Sequence, residues 1–361
     1  MFEPTAIAGA KYGGKGMFSV KSFKVRLPNH VKAALATMAN HGLSDNTWKT
    51  YNSAMSQLEK CQQHYKRTFA FPMSSDDILL FVTYLVHDKN LKANSVEVYI
   101  SALRQIHLAK GYVIKELRPD LVKAILSGKK NMDVLQRKSC DIRLPVTINM
   151  LKLLKLELNN VEGQKGFRKL IWAVSTICFF GALRIHEILS RQVSNFDPIN
   201  TLLGQDLKIR TIRMGNEKVR VIQIKIKSPK ESRCVKDKII DIYENGGKLC
   251  PVRALENWLR TAPPIKKGLP FFRLADGTPL TGRKLNDILR VCFKKHIPKG
   301  KGFVSSHSFR GGMASLMGLM GYSDEDIMAV GRWSSQCFET YMKLPRTKRL
   351  KMAREMGNWE L

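Results

Sequence analysis

The sequence has no long hydrophobic run: its most apolar stretch, 170–183, is broken by Ser175 and Thr176 and is too short to cross a bilayer. The first residues carry Lys11, Lys15 and several glycines but lack the apolar core of a secretory signal. Cysteine is sparse and unpatterned. The seven cysteines, at 61, 140, 178, 234, 250, 292 and 337, are odd in number and form no CxxC pair. That usage suits a reducing compartment in which most of them serve as small apolar residues. Cys61-Gln-Gln-His64 brings two ligand types together, but a structural zinc needs four and no second pair lies near, so no metal site is expected. Internal repeats and low-complexity blocks are also missing. These absences predict a soluble intracellular protein, not secreted and without a membrane partner.

Acid is the other shortage. Against 30 Asp+Glu stand 61 Lys+Arg, a formal net charge of +31. Residues 1–145 hold 22 basic and 11 acidic side chains, and 146–361 hold 39 and 19, so the excess covers both halves rather than a tail. Charge of this size repels itself unless a polyanion neutralises it, and nucleic acid, bound through counterion release, is the usual one. An apolar fraction of 44% over 361 residues excludes wholesale disorder and leaves room for two domains.

Periodicity divides the chain. Residues 1–41 mix Gly, Lys and Pro with little pattern and read as a basic arm. From Leu43 the pattern is helical, with Ser44 or Asp45 as a cap and Trp48, Tyr51, Met55, Leu58 and Cys61 on one face. Ser74 or Ser75 caps a second helix bearing Ile78, Phe81, Val82 and Leu85. A third begins near Asn94 and stops at Gly111; a fourth follows Pro119. The polar stretch from Lys129 to Pro145 loses the period and reads as an interdomain linker. Helical patterns at 147–159 and 164–190 then give way to strand patterns at 206–214, 219–228 and 233–240. In the second of these Ile222, Ile224 and Ile226 alternate with polar residues. Helices resume at 251–260, 281–295, 307–320, 323–330 and 334–343. The expected fold is an all-helical N-terminal domain and a mainly α domain with a small antiparallel β-sheet.

Three short segments set polar groups into core-like sequence. In Gly181-Ala182-Leu183-Arg184-Ile185-His186-Glu187 an arginine follows a run fit for burial, and Glu187 lies one helical turn on, where it can orient the guanidinium. In Ser306-His307-Ser308-Phe309-Arg310-Gly311-Gly312, His307 and Arg310 share a face at a helix start, and two glycines permit close backbone approach. Gly331-Arg332-Trp333 is followed by Tyr341 ten residues after the glycine. Each has an ordinary structural reading: an Arg–Glu pair, a chance HxxR, a packing tyrosine.

Their order is more specific than any one of them. ALRxxE, a basic β-hairpin, HxxR, Gly-x-Trp and then Tyr resembles the tyrosine recombinase (phage integrase) family over roughly 43–343. The string Gly-Arg-Trp-Ser-Ser-x-x-Phe-x-x-Tyr is most similar to recombinases of eukaryotic mobile elements, the DIRS-like and Crypton groups. The resemblance implies a basic arm (1–41), a helical SAM-like core-binding domain (42–131), a linker (132–145), a catalytic domain (146–343) and a tail (344–361) that docks on a neighbouring protomer or lies on DNA. It implies a C-shaped clamp on double-stranded DNA and a homotetramer on paired recombination sites. No cofactor is implied. The compartment is the nucleus if the source is eukaryotic, otherwise the cytoplasm.

In chemical terms the resemblance implies that Arg184 and Arg310 hold the non-bridging oxygens of the scissile phosphate. Tyr341 attacks phosphorus and His307 takes its proton. A lysine of the turn 225–232 protonates the leaving 5′-oxygen: Lys230 by pattern, with Lys227 as the competing candidate. One departure stands out. Nine residues before the nucleophile the family usually has His or Trp, and here it is Arg332, with Trp333 beside it. Either Arg332 donates to the phosphate, or Trp333 packs against the site and Arg332 points to DNA. Two rival functions share the charge: a type IB topoisomerase-like enzyme acting as a monomer, and a domesticated DNA-binding protein that no longer cuts.

Overall fold

The computed structural model describes residues 17–112, 119–135, 142–194, 196–198, 200–227, 238–298 and 300–333. The chain divides into two compact units, Met1–Arg137 and Lys138–Leu361.

The first unit is helical: α1 (Asn29–His41), α2 (Asp45–Tyr65), α3 (Ser75–Thr83), α4 (Ala93–Ala109) and α5 (Pro119–Leu135). Serine caps set two of the starts. Ser44 Oγ accepts the Thr47 N–H at 3.3 Å, and Ser74 Oγ accepts the Asp77 N–H at 3.2 Å. Leu58 and Cys61 from α2 close on Ile78 and Phe81, on Val96, Leu103 and Ile106 from α4, and on Val122 and Leu126 from α5. Cys61 therefore faces the core, whereas His64 is half-exposed and pairs with Asp88 at 3.5 Å.

Two sequence expectations are corrected here. Residues 29–41, expected as part of an arm, form α1; only Ala36 on it is buried, with Val31, Leu35 and Ala39 half-buried, so its apolar face is weak. Its Asn40 carbonyl accepts the Trp48 indole N–H at 2.7 Å, tying it to α2. The first part of the expected linker is likewise helix. Lys129 is buried in α5, its Nζ 3.0 Å from Asp133 Oδ1 and 3.0 Å from Asn90 Oδ1, and Asp133 Oδ2 accepts the Ala93 N–H at 3.0 Å. The polar residues that read as solvated thus satisfy one another inside the fold.

The second unit runs α6 (Ile148–Glu157), α7 (Lys165–Phe180), α8 (Ile185–Ile188), then strands β1 (Leu207–Met214), β2 (Glu217–Ile226) and β3 (Lys238–Tyr243), then α9 (Pro251–Leu259), α10 (Gly282–Phe293), α11 (His307–Met320) and α12 (Asp324–Gly331). The sheet is antiparallel in the order β1-β2-β3, with Leu207 opposite Ile224 and Ile226 opposite Lys238. Ile222, Ile224 and Ile226 are buried, as their alternation predicts. The expected helix at 334–343 lies outside the described residues.

α7 is the axis of this core, with Leu170, Ile171, Val174, Ile177, Cys178 and Phe179 all buried. Each such side chain contributes on the order of 1.5–3 kcal/mol by leaving water. The helical pattern expected over 164–190 is not continuous. At Gly181 a side chain would come within 2.6 Å of Ile242 and 2.9 Å of the Ile177 carbonyl. Ala182 then takes a left-handed conformation, φ 43°, which alanine adopts only at a cost. The Leu183 N–H closes the turn on the Cys178 carbonyl at 3.0 Å, and α8 restarts behind it. Far along the chain, Val146 N–H meets the Ser308 carbonyl at 2.9 Å and Leu144 N–H the Phe303 carbonyl at 2.9 Å, so the segment entering α6 lies against the start of α11. Among the described residues no helix is long and apolar enough to cross a membrane.

Candidate functional site

The sharp turn between α7 and α8 gathers the arginines. Arg184 precedes α8, and its backbone N–H and Nη1 reach Glu187 Oε2 and Oε1 at 2.8 and 3.2 Å. Glu187, only 8% exposed, orients this guanidinium, as its spacing predicts. Arg310, on the first turn of α11, is 4% exposed and donates from Nη1 to the Ala182 carbonyl at 2.6 Å. That carbonyl is available because the left-handed turn points it out of the helix that has just ended. Arg310 also stacks on Trp333, its guanidinium carbon 4.3 Å from the ring centroid.

Gly312 explains how α11 comes so close. A Cβ there would sit 2.0 Å from the Val146 carbonyl oxygen. The same approach brings Arg143 toward His307. Arg143 pairs in parallel with Phe303, its guanidinium 5.9 Å from the ring. Burial, and then the charges of Arg143, His186, Arg184 and Arg310, hold the His307 pKa below the ordinary 6.5, so the imidazole is neutral near pH 7 and able to accept a proton. His186 is lowered too, by burial and by Arg191.

The Arg332 side chain is 7% exposed and directed inward. Nη2 lies 3.0 Å from Glu187 Oε2 and 3.2 Å from the Ala182 carbonyl, and Nη1 lies 3.1 Å from the Gly181 carbonyl. Trp333 does pack against the site. Its ring folds over Gly331 so closely that a Cβ there would lie 1.6 Å from a ring carbon.

Lys227 stands at the end of β2. Its ammonium is 2.6 Å from the buried Asp206 Oδ2, 2.9 Å from the Pro198 carbonyl and 3.3 Å from the Thr201 carbonyl. Lys230 and Tyr341 lie outside the described residues. The structure thus brings together Arg184, Glu187, His307, Arg310, Arg332 and Trp333 and sets Lys227 on an ion pair of its own. Sequence reasoning missed Arg143, His186, Asp206 and the two turn carbonyls. Only Asp206 left a trace, as an acid among the residues leading into a basic strand.

No family model matches the chain. Its sequence is similar to an integrase/recombinase XerD homolog of Selenomonas ruminantium, 25% identical over 274 residues, covering 74% of this chain and 71% of that protein. Its fold is similar to that of XerH site-specific recombinase bound to a palindromic difH substrate (TM-score 0.56, 14% identity, 91% of this chain and 85% of that one). It is also similar to the Tn1549 transposon integrase in complex with transposon right end DNA (TM-score 0.55, 15% identity, 89% and 98%). Lambda integrase bound to DNA gives a TM-score of 0.52 at 13% identity over 90% of this chain and 95% of that one. The mainly helical fold with its small three-stranded sheet is thus similar to the folds of these recombinases.

Proposed function

We propose that this chain is a site-specific recombinase of a mobile genetic element, which cleaves and rejoins duplex DNA through a 3′-phosphotyrosyl intermediate and a Holliday junction, as a tetramer on paired sites. The observation that carries the reading is the meeting of Arg184 and Arg310 at one turn, the latter bonded to Ala182 from 128 residues away, with His307 on the same first turn of α11 as Arg310. Cations held side by side against their mutual repulsion suit a ligand with concentrated negative charge, and a phosphodiester passing through a five-coordinate state is one.

In this reading the oxygen of Tyr341 attacks phosphorus and gives its proton to His307. Arg184 and Arg310 neutralise the non-bridging oxygens, and the bond to the 5′-oxygen breaks as a lysine protonates it. The energy of the cut bond stays in the phosphotyrosyl linkage, so the freed 5′-hydroxyl of a partner strand can reverse the step. Lys230 is the acid by sequence pattern. The engagement of Lys227 by Asp206 and two carbonyls supports that choice. The DIRS-like or Crypton affiliation rests on the Gly-Arg-Trp string and the tyrosine ten residues after its glycine.

The test is a nicked suicide duplex drawn from DNA flanking the gene, resolved on a denaturing gel. A protease-sensitive shifted band that vanishes in Tyr341→Phe, while duplex binding stays near normal, is the expected result. Binding without a band would replace the proposal with a silent DNA binder. Lys230→Ala should slow cleavage of an ordinary strand but hardly that of a 5′-bridging sulfur strand, whose leaving group needs little protonation. If Lys227→Ala shows that rescue instead, Lys227 is the acid.

A further inference from the structure

We infer that Arg332 is a positioning residue: a latch that joins the Arg184 turn to the root of the segment leading to Tyr341, rather than a donor to the phosphate. The consequence for catalysis rests on the recombinase reading; the latch itself rests on geometry. The Arg332 guanidinium belongs to a side chain that is only 7% exposed. Its nitrogens are spent inward on both carbonyls of the turn, Gly181 and Ala182, and on Glu187 Oε2. The same Oε2 accepts the Arg184 backbone N–H at 2.8 Å, while Oε1 takes the Arg184 guanidinium at 3.2 Å. Glu187 is therefore gripped from two sides, and the direction of Arg184 depends on where Arg332 holds it.

The backbone of Arg332 fits the same role. It ends α12 in the left-handed region, φ 56°, a conformation that strains any residue with a Cβ. Glycine would serve a plain helix stop better. An arginine kept in this strained position is consistent with a side chain the site needs. Burial and the adjacent Arg184 lower its pKa while Glu187 raises it, as expected of a cation held inside by one carboxylate. The next residue, Trp333, covers Arg310. Two adjacent residues at the root of the Tyr341 segment thus address the two phosphate-binding arginines separately, Arg332 through Glu187 and Trp333 by stacking.

Arg332→Gly is the informative variant. It accepts the positive φ, so the backbone is relieved and only the guanidinium is lost. Hydrogen exchange by mass spectrometry reads the latch without any activity. The peptide spanning 181–189 should exchange at least about ten-fold faster in Arg332→Gly, with peptides from β1–β2 and from α2–α4 unchanged. Unchanged exchange at 181–189, or a rise everywhere, overturns the inference. On the suicide duplex the same variant should cleave about 50-fold more slowly, and Arg332→Lys should restore only part of that, since an ammonium lacks the planar fork whose two arms reach the Gly181 carbonyl and Glu187 separately. Combined with Glu187→Gln, it should add no more than about two-fold to the slower single variant, because both act through one contact. Multiplied losses, or rescue of Arg332→Gly by a methylphosphonate at the scissile position, would show a direct phosphate contact and overturn it. If the unaltered chain forms no covalent adduct at all, the recombinase reading fails, and the exchange result still decides the latch.

Discussion

Each unit buries polar side chains, and they do so in opposite ways. In the helical unit His107 is fully buried, yet both ring nitrogens are engaged: Nε2 accepts the Met73 N–H at 3.0 Å, and Nδ1 donates to the Leu103 carbonyl at 2.8 Å. Lys129 in the same unit has Asp133 and Asn90. These are closed circuits whose partners come from neighbouring turns and helices, and they serve the fold. In the second unit Arg184, Arg310 and Arg332 crowd around one turn, and like charges there disfavour one another. A fold seeking stability alone would put apolar side chains in that place. The contrast separates polar burial that holds a structure from polar burial kept for a ligand.

The sharpest way to break that contrast is a matched pair of substitutions. Arg310→Met should cut suicide-duplex cleavage by about 10³-fold, the usual cost of losing a donor to transition-state charge. Its melting temperature should hold or rise, since a like charge leaves the cluster and Arg332 Nη2 still reaches the Ala182 carbonyl. Lys129→Met should do the reverse: activity retained, stability lower by about 1–2 kcal/mol because Asp133 Oδ1 and Asn90 Oδ1 lose their shared ammonium. A drop in melting temperature for Arg310→Met equal to that of Lys129→Met would end the distinction.

Glycines sharpen it further. Gly312→Ala drives a Cβ to 2.0 Å from the Val146 carbonyl oxygen, and urea denaturation should show a loss of about 2–3 kcal/mol. Protonation comes next in size. Burial lowers the His107 pKa in the folded chain below 6.5, with its bond to Leu103 opposing and the Lys110 charge assisting. Below pH 6.5 the unfolded chain therefore binds a proton that the folded chain resists, and stability falls as the pH drops. Between pH 7 and 5 this residue should contribute a fall in stability, read as a shallower slope in His107→Gln. Smallest is Gly128→Ala. Its Cβ meets nothing within 4 Å in the interior of α5, so denaturation should show a gain of about 0.5–1 kcal/mol.

The sequence was legible where a physical signal is local. Ser44 and Ser74 marked their helix starts because a cap needs only the next three residues. The alternation of Ile222, Ile224 and Ile226 marked a strand covered on one side, and Glu187 one turn after Arg184 marked their pair. The helix Asn29–His41 was not legible because only Ala36 on it is buried, nor was the helical run to Leu135, because its polar residues are paired across the fold. The break at Gly181 was hidden by apolar residues on both sides of it.

By itself the sequence determined the basic charge, the helical and mixed halves, and the order of Arg184, His307, Arg310, Arg332 and Trp333 along the chain. Tertiary structure alone decided what those residues do to one another. It turned Arg332 inward, set Trp333 over Arg310, placed Arg143 near His307 and gave Lys227 to Asp206. The reason is physical. A cap or a period is written within a few residues, whereas the direction of a long charged side chain depends on which carbonyls and carboxylates the folded backbone brings within about 3 Å of it.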